Sequence, residues 1–344
     1  MIKVKPSSIQ AHHYAGLNAL HFPLVNAWVS RKFNGWNVTY DGGLGSMIQL
    51  AEEVPWLNYK HLNGAPYLGF ATLGRSSGPQ PIFPPDWWLE PIKYTFFRMP
   101  VQGELWHISD DDGMLKSIAG QGWAKSRIDE RWKDVKFIPC NIKPYVYWTI
   151  PSYLRLPFDI KECGFFRDTT LEEKTQKILR AVHDWDSKGF SVNPILELRN
   201  FSIGQESELF ELKSQMGGEG LMIADKKGYY TIGHSYSLLK LKNQFENEAE
   251  VIGHTDGEDK YINKLGALVC RLTWDEKVLS IRGGKQSFVG ETITFKVSGM
   301  SDEQREWDYV LDKLAKGRRI NFSYLSVSSN GVPISANFNH ILED

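Results

Sequence analysis

The sequence predicts an α+β chain of two domains, a larger one of sheets, loops and a few helices followed by a small β-barrel. Its length of 344 residues is more than one ordinary core organises, since domains run to about 150 residues each. Apolar periodicity at 3.6 residues is confined to a few short segments, each with its own start and stop signals. The last third instead alternates short β-rich runs with turn residues at the spacing of a small barrel.

Composition narrows the class further. Apolar residues make up 42% and charged residues 24%, and the 30 Gly and 16 Pro recur without a period, which excludes collagen-like, low-complexity and disordered chains. No apolar stretch approaches the roughly 18 to 20 residues of a bilayer span, so no membrane partner is expected. A formal charge of −1 means that a polyanion must be met by local clusters, such as Lys313, Lys316, Arg318 and Arg319. Cys140, Cys163 and Cys270 form neither an even set nor a C-x-x-C pair, and the first residues lack the apolar core of a secretory signal. A reduced, cytoplasmic protein is predicted.

Along the chain, residues 41–165 are rich in Gly, Pro and Trp and predict strands and loops. The first strong helix is 171–185, opened by Thr170 with Glu173 three residues on, with Leu171, Ile178, Leu179, Val182 and Trp185 along one side and Gly189 as its stop. A second helix covers 206–216, ahead of Gly217-Gly218. The runs 249–253, 265–272, 277–281 and 291–297 read as strands. Ser301 to Gln304 opens a third helix, with Trp307, Val310, Leu311 and Leu314 inward and Gly317 as its stop. A returning strand at 320–327 completes a five-stranded barrel of about 100 residues. The boundary falls at 243–247, giving domains 1–244 and 245–344. The 12 tryptophans are expected to serve packing more than base stacking.

Several residues are suited to chemistry. In Trp28-Val-Ser-Arg-Lys-Phe-Asn-Gly35 a strand delivers Lys32 to a tight turn at Asn34-Gly35. A lysine is a nucleophile only once deprotonated, which desolvation or the positive charge of Arg31, Lys240 or Lys242 would favour. Gly217-Gly-Glu-Gly220 sets Glu219 among glycines ahead of a buried strand, and Gly103-Glu-Leu-Trp106 sets Glu104 beside another glycine. In Ser237-Leu-Leu-Lys-Leu-Lys242, alternation places Lys240 and Lys242 on one face about 7 Å apart, a spacing suited to a phosphate. Gly283-Gly-Lys-Gln286 is not a phosphate loop, because Leu279 and Gln286 stand where glycine and Ser/Thr are required. His12-His13 and the scattered cysteines lack zinc-ligand spacing.

Taken in order, Lys-x-x-Gly, Gly-Glu-Leu-Trp, Gly-Gly-Glu-Gly-Leu-Met and Leu-Leu-Lys-Leu-Lys make the chain resemble the covalent nucleotidyltransferases, and within them the minimal ATP-dependent DNA ligases of bacteria and viruses. Pro84-Pro-Asp-Trp87, Glu248-Ala-Glu-Val-Ile-Gly253, Gly266-Ala-Leu268 and Gly299-Met-Ser-Asp-x-x-Arg305 match further stations, so the resemblance runs from Ala27 to Tyr324. It implies a nucleotidyltransferase (adenylation) domain of antiparallel sheets with helices, then a C-terminal OB-fold β-barrel. It also implies ATP as donor, AMP as a covalent adduct on Lys32, Mg²⁺ or Mn²⁺, and nicked double-stranded DNA as the partner of a monomer. Only 31 residues precede Lys32, short of the additional domain of NAD-dependent ligases.

By position, Glu104 would serve the ribose or the metal, Glu219 the metal, and Lys240 and Lys242 the α-phosphate. Arg31, Asn34, Gly35, Asn37 and Phe137 would surround the nucleotide. Arg75 would grip the nick's 5′-phosphate. Lys277, Arg282 and Lys285, in a protruding hairpin at 274–288, and Lys316, Arg318 and Arg319 would touch the DNA backbone. The chain departs from the family where Asn34 and Asn37 replace a carboxylate and a ribose-binding arginine. Gln102 replaces an aspartate, His234 stands where Gly-Arg-Ser is common, and Cys140-Asn141 takes the place of the adenine-stacking Phe-Asp. Phe137 and Tyr145 are the candidate substitutes for that ring. Asn37 also matches an RNA-joining branch, so an RNA ligase is the alternative, with a non-catalytic nick-binding homologue as a third reading.

Overall fold

The chain divides into two units, Met1–Leu241 and Lys242–Asp344. The computed structural model describes residues 9–14, 20–44, 62, 64–73, 79–147, 162–183, 189–216, 219–275, 287–328 and 330–342.

In the first unit, strands β1 (Ile9–His13), β2 (Ala27–Lys32), β3 (Trp36–Tyr40), β4 (Phe70–Thr72), β5 (Val101–His107), β6 (Val135–Ile142), β7 (Phe201–Ser202), β8 (Gly220–Asp225) and β9 (Gly233–Lys242) build two sheets. Their orders are β1-β9-β8-β2-β7 and β4-β3-β5-β6. β2 runs antiparallel to β8, and β3 antiparallel to β5, whereas β1 lies parallel to β9. Consecutive strands β2 and β3 therefore belong to different sheets, and the turn at 33–35 is where the chain passes between them. Glycine is obligatory in that turn. A β-carbon on Gly35 would stand 2.3 Å from the Leu105 carbonyl oxygen and 2.9 Å from Glu104 Cγ.

Helices α1 (Asp86–Thr95), α2 (Asp112–Ala119) and α3 (Trp123–Ser126) occupy the region expected to be strands and loops. Pro91 inside α1 argues against a helix, because proline removes a backbone donor and crowds the preceding turn. Burial overrides that cost: Trp88, Leu89 and Ile92 are sealed in the core, and Trp88 Nε1–H donates to the Val135 carbonyl at 2.9 Å. In α2 the Asp111 cap accepts from Gly113 N–H at 2.8 Å, but eight residues are too few for a periodic signal. With Val38, Leu105, Trp132 and Phe137, α1 and α2 close a core over the four-stranded sheet.

Helix α4 (Leu171–His183) has the expected reciprocal cap: Glu173 N–H donates to Thr170 Oγ1 at 3.3 Å, and Thr170 N–H to Glu173 Oε2 at 3.2 Å. Its buried face holds Ile178 together with Lys174 and Thr175, because Lys174 is ion-paired with Asp168. Helix α5 (Glu206–Met216) keeps its expected bounds and packs Leu209 with Val29, Leu221 and Ile223 of the other sheet.

In the second unit, β10 (Phe245–Asp256), β11 (Leu265–Thr273), β12 (Thr292–Val297), β13 (Arg319–Tyr324) and β16 (Asn337–Ile341) form a sheet in the order β12-β11-β10-β13-β16. The short pair β14 (Ser326–Val327) and β15 (Pro333–Ile334) lies before β16. One parallel bridge, Ser298 to Asn337, joins the two edges, with Phe338 N–H donating to Ser298 O at 2.7 Å. The result is a partly open, five-stranded Greek-key barrel. Its fifth strand is β16, which the sequence reading did not single out, while the expected strand at 277–281 lies outside the described residues.

The third expected helix begins later than its cap suggests. Ser301 and Gln304 do exchange hydrogen bonds, at 2.9 and 3.2 Å, but they close a turn, and helix α6 is Trp307–Lys313. Between them the buried Arg305 turns inward and donates to the carbonyls of Met300, Leu265 and Gly266 at 3.2, 2.8 and 2.7 Å. Leu311, expected inward, is 67% exposed. No described helix is long and apolar enough to cross a membrane.

Candidate active site

The antiparallel register of β2 on β8 pairs Lys32 with Gly220, which brings the preceding residue, Glu219, beside the end of β2. Glu219 N–H donates to Lys32 O at 3.2 Å, and the Lys32 ammonium is ion-paired with the Glu219 carboxylate. Both side chains are about one-fifth exposed, at 20% and 21%, so the pair stays reachable by a ligand. It opens onto a cavity of about 530 Å³, lined also by Arg31, Asn37, Glu104, Met222 and Lys240.

The second sheet supplies Glu104. Register places Asn37 opposite Glu104 and Thr39 opposite Gln102, so these four polar side chains share one face, while the alternate residues Val38 and Leu105 enter the core. Burial pushes the Glu104 carboxyl up to about 7; the charge of Lys32 works against that rise, Glu219 adds to it, and the Gly35 N–H opposes it by donating to the carboxylate. Cys140, also on the cavity wall, has its thiol pushed up to about 12, first by burial and then by the charge of Glu104. It is a neutral thiol at ordinary pH.

Arg31 is held rather than free. Its guanidinium pairs with Asp110 at 3.2 Å and lies 4.9 Å from the Phe33 ring and 5.4 Å from that of Trp106, and Trp106 Nε1–H donates to the same Asp110 at 2.6 Å. The positive charge next to Lys32 is thereby locally compensated.

Among the residues expected around a nucleotide, Lys32, Arg31, Gly35, Asn37, Glu104 and Lys240 line the cavity. Glu219 joins them through Lys32. Asn34 does not: it is buried, and its amide donates to the Asp110 carbonyl at 3.0 Å, so it fastens the turn. Phe137 is also misplaced as a stacking ring, since it is fully buried in the core against Phe70 and Phe96. Tyr145 is equally buried and donates to the Arg98 carbonyl at 3.2 Å. A β-strand faces two ways, and β6 turns Phe137 to the side opposite the cavity. Lys242, the last residue of β9, falls outside the lining.

Of the residues expected at DNA, Lys316, Arg318 and Arg319 are exposed at the start of β13, where Arg319 is ion-paired with Glu248. Arg75, Lys277, Arg282 and Lys285 lie outside the described residues. The ends of the expected hairpin are core: Trp274 and Phe288 are 2% and 1% exposed, and Trp274 Nε1–H donates to the Gly331 carbonyl at 2.9 Å.

The sequence reading missed what stands behind the amide face. Tyr230 O–H donates to Gln102 Oε1 at 2.6 Å, and Gln102 Nε2–H donates to Asn37 Oδ1 at 3.3 Å. Tyr230 N–H donates to Asp168 Oδ2 at 2.8 Å, and the Lys174 ammonium sits 5.5 Å from the Tyr230 ring centre. The signal available was Gln102 itself, an unexpected amide next to Gly103-Glu104.

No family model matches the chain. Among curated proteins it is similar to a DNA ligase of Haemophilus influenzae, 22% identical over 237 residues that cover 65% of this chain and 73% of that one. Among solved structures it superimposes on a Lig E DNA ligase, studied for DNA binding with a minimal scaffold, at a TM-score of 0.63 and 19% identity, covering 98% and 99% of the two chains. The fold is that of the minimal DNA ligases. A structure described as Pmar-Lig_Pre agrees equally well, with a TM-score of 0.63 and 16% identity over 98% of this chain and 67% of its own. The first unit, with its two sheets and helices, and the second, with its five-stranded sheet, make up the α+β class expected from the sequence.

Proposed function

We propose that the chain is an ATP-dependent DNA ligase that seals nicks in duplex DNA through a lysyl-AMP intermediate on Lys32. The observation that carries this is the placing of Lys32 at a strand end, on the wall of a nucleotide-sized cavity, against Glu219 and beside Glu104 and Lys240. The relatives' names and the likeness of fold support the same reading.

In this reading Lys32 Nζ attacks the α-phosphorus of ATP. The ammonium first gives up a proton through Glu219, the carboxylate already paired with it, to water; the N–P bond then forms as the bond to pyrophosphate breaks, and the second Nζ proton leaves with pyrophosphate. Lys240 faces the negative charge that gathers on the α-phosphate oxygens. The AMP next moves to the 5′-phosphate of a nick, with the N–P bond breaking and Nζ regaining a proton; attack by the 3′-hydroxyl then releases AMP. Lys242 would join Lys240 at the phosphate, and Arg75, Lys277, Arg282, Lys285, Lys316, Arg318 and Arg319 would hold DNA.

No group of three metal-ligating side chains occurs among the described residues. Two carboxylates beside lysines nevertheless suit Mg²⁺, which takes one or two carboxylates and fills its shell with substrate phosphate and water. Glu104 and Glu219 would hold it, and the ion would supply screening of the phosphate charge. We read the protein as a cytoplasmic monomer; Cys140, Cys163 and Cys270, an odd set without a C-x-x-C pair, are the sequence feature behind the location.

An RNA-joining role is favoured by one feature, the presence of Asn37 on the cavity wall. Matched DNA and RNA nicks at equal salt separate the two. Faster sealing of the DNA nick with ATP and Mg²⁺, none with NAD, and a steep loss with added salt are expected. Faster joining of RNA would replace the DNA assignment.

A further inference from the structure

The cavity-facing side of β3 and β5 carries two amides, Asn37 and Gln102. The structure joins them. Gln102 Nε2–H donates to Asn37 Oδ1 at 3.3 Å and Gln102 Oε1 accepts from Tyr230 O–H at 2.6 Å, and Asn37, Gln102 and Glu104 all line the cavity.

The direction of the series follows from its end. Asn37 stands directly opposite Glu104 on the same sheet face, and side chains in that relation are neighbours. With its carbonyl turned to Gln102, Asn37 presents its NH₂ on the side of the Glu104 carboxyl and the cavity. The reverse arrangement would set the Asn37 carbonyl against that carboxyl, acceptor facing acceptor. Tyr230 is well placed to decide between them. It is 2% exposed, its N–H is held by Asp168 at 2.8 Å, and its ring lies 5.5 Å from the Lys174 ammonium, so its hydroxyl is fixed where Gln102 meets it. Gln102 is 5% exposed, so its amide is held between Tyr230 and Asn37.

We propose that Gln102 and Tyr230 are positioning residues that aim the Asn37 amide, donor side outward, at the ribose hydroxyls of the nucleotide donor, where it works beside the acceptor Glu104. A donor next to an acceptor on one face matches a vicinal diol, which offers both. This rests on the nucleotide-dependent reading of the cavity above. The consequence is discrimination between a ribonucleotide and its 2′-deoxy analogue, because a site built to hydrogen-bond a hydroxyl is left with unpaired groups when that hydroxyl is missing.

The test measures protein–AMP formation from ATP and from 2′-deoxyATP by full-length protein. Wild type is expected to favour ATP in kcat/KM by about fivefold or more, the scale of one hydrogen bond. Tyr230→Phe, which keeps the ring near Lys174, and Gln102→Glu, which removes the donor to Asn37, should each raise KM for ATP and bring the preference toward one. In an Asn37→Ala background neither should have a further effect on that preference. Equal slowing with both nucleotides, an unchanged preference, or effects that persist without Asn37 would overturn the proposal. Should Tyr230→Phe fail to fold, Gln102→Glu and the wild-type preference decide it. A wild type that adenylates equally from both nucleotides defeats this inference alone, whereas one that forms no adduct from either defeats the ligase reading beneath it.

Discussion

Along one edge of the cavity the polar groups are charged and set against one another, Lys32 with Glu219 and Glu104, whereas along the other they are neutral and joined in series from Asn37 through Gln102 to Tyr230. On the charged edge Glu104, raised to about 7 by burial, can exchange a proton near neutral pH. The amides of Asn37 and Gln102 have no group to titrate, and the hydrogen bond between them holds across the same range. On the proposed reading, reactivity and recognition fall to different electrostatics on adjoining faces, and changing one edge should leave the other legible.

The largest expected effect comes from removing the nucleophile. Lys32→Ala should abolish ATP-dependent nick sealing and lower the melting temperature by a few degrees without preventing folding, because an ion pair about four-fifths buried loses one side. Residual sealing above background would separate reactivity from this edge.

Gly35→Ala should come next. A β-carbon there meets the Leu105 carbonyl at 2.3 Å, and backbone cannot move aside cheaply, so the turn must shift and carry Lys32 and Glu104 with it. Loss of adduct formation by a hundredfold or more is expected, with a lowered melting temperature. An alanine tolerated in both assays would show that the turn does not set the geometry.

Glu219→Gln keeps size and removes charge, and adduct formation should fall tenfold or more, roughly the scale of one lost charged contact in a transition state. Rates of adduct formation from radiolabelled ATP measure it directly.

The smallest effect is on stability and depends on pH. Burial raises Glu104 from 4.5 to about 7 in the folded chain. The folded state therefore binds this proton more tightly than the unfolded one. Its contribution is fully present below about 4.5, declines as pH rises through about 7, and is flat above that. Glu104→Gln should remove this component, so the melting temperature of wild type relative to the variant should fall between those limits. A constant difference would place the carboxyl in ordinary solvent.

How far the sequence foretold this molecule differs by region. The two-unit α+β class, the cap of α4, the bounds of α5 and the strand that ends in Lys32 follow from local signals. Helix α1 was hidden by Pro91, whose local cost is outweighed by the burial of Trp88, Leu89 and Ile92. The cap at Ser301 closes only a turn, because nothing local announces that Arg305 turns in to bond three carbonyls. Within the site, the charged residues stood out by type and order. The amide series did not, since Asn37, Gln102 and Tyr230 are far apart in sequence and meet only through the register of β3 on β5 and the packing of Tyr230. Phe137 was assigned to the nucleotide because sequence order alone does not tell which face of β6 it occupies.

The central claim is that Lys32 becomes covalently adenylated. Purified protein incubated with ATP and Mg²⁺, then analysed by intact-mass and peptide mass spectrometry, should gain one AMP, mapped to Lys32 and discharged by pyrophosphate. No mass gain, or an adduct mapped to Lys240 or any other residue, would contradict it.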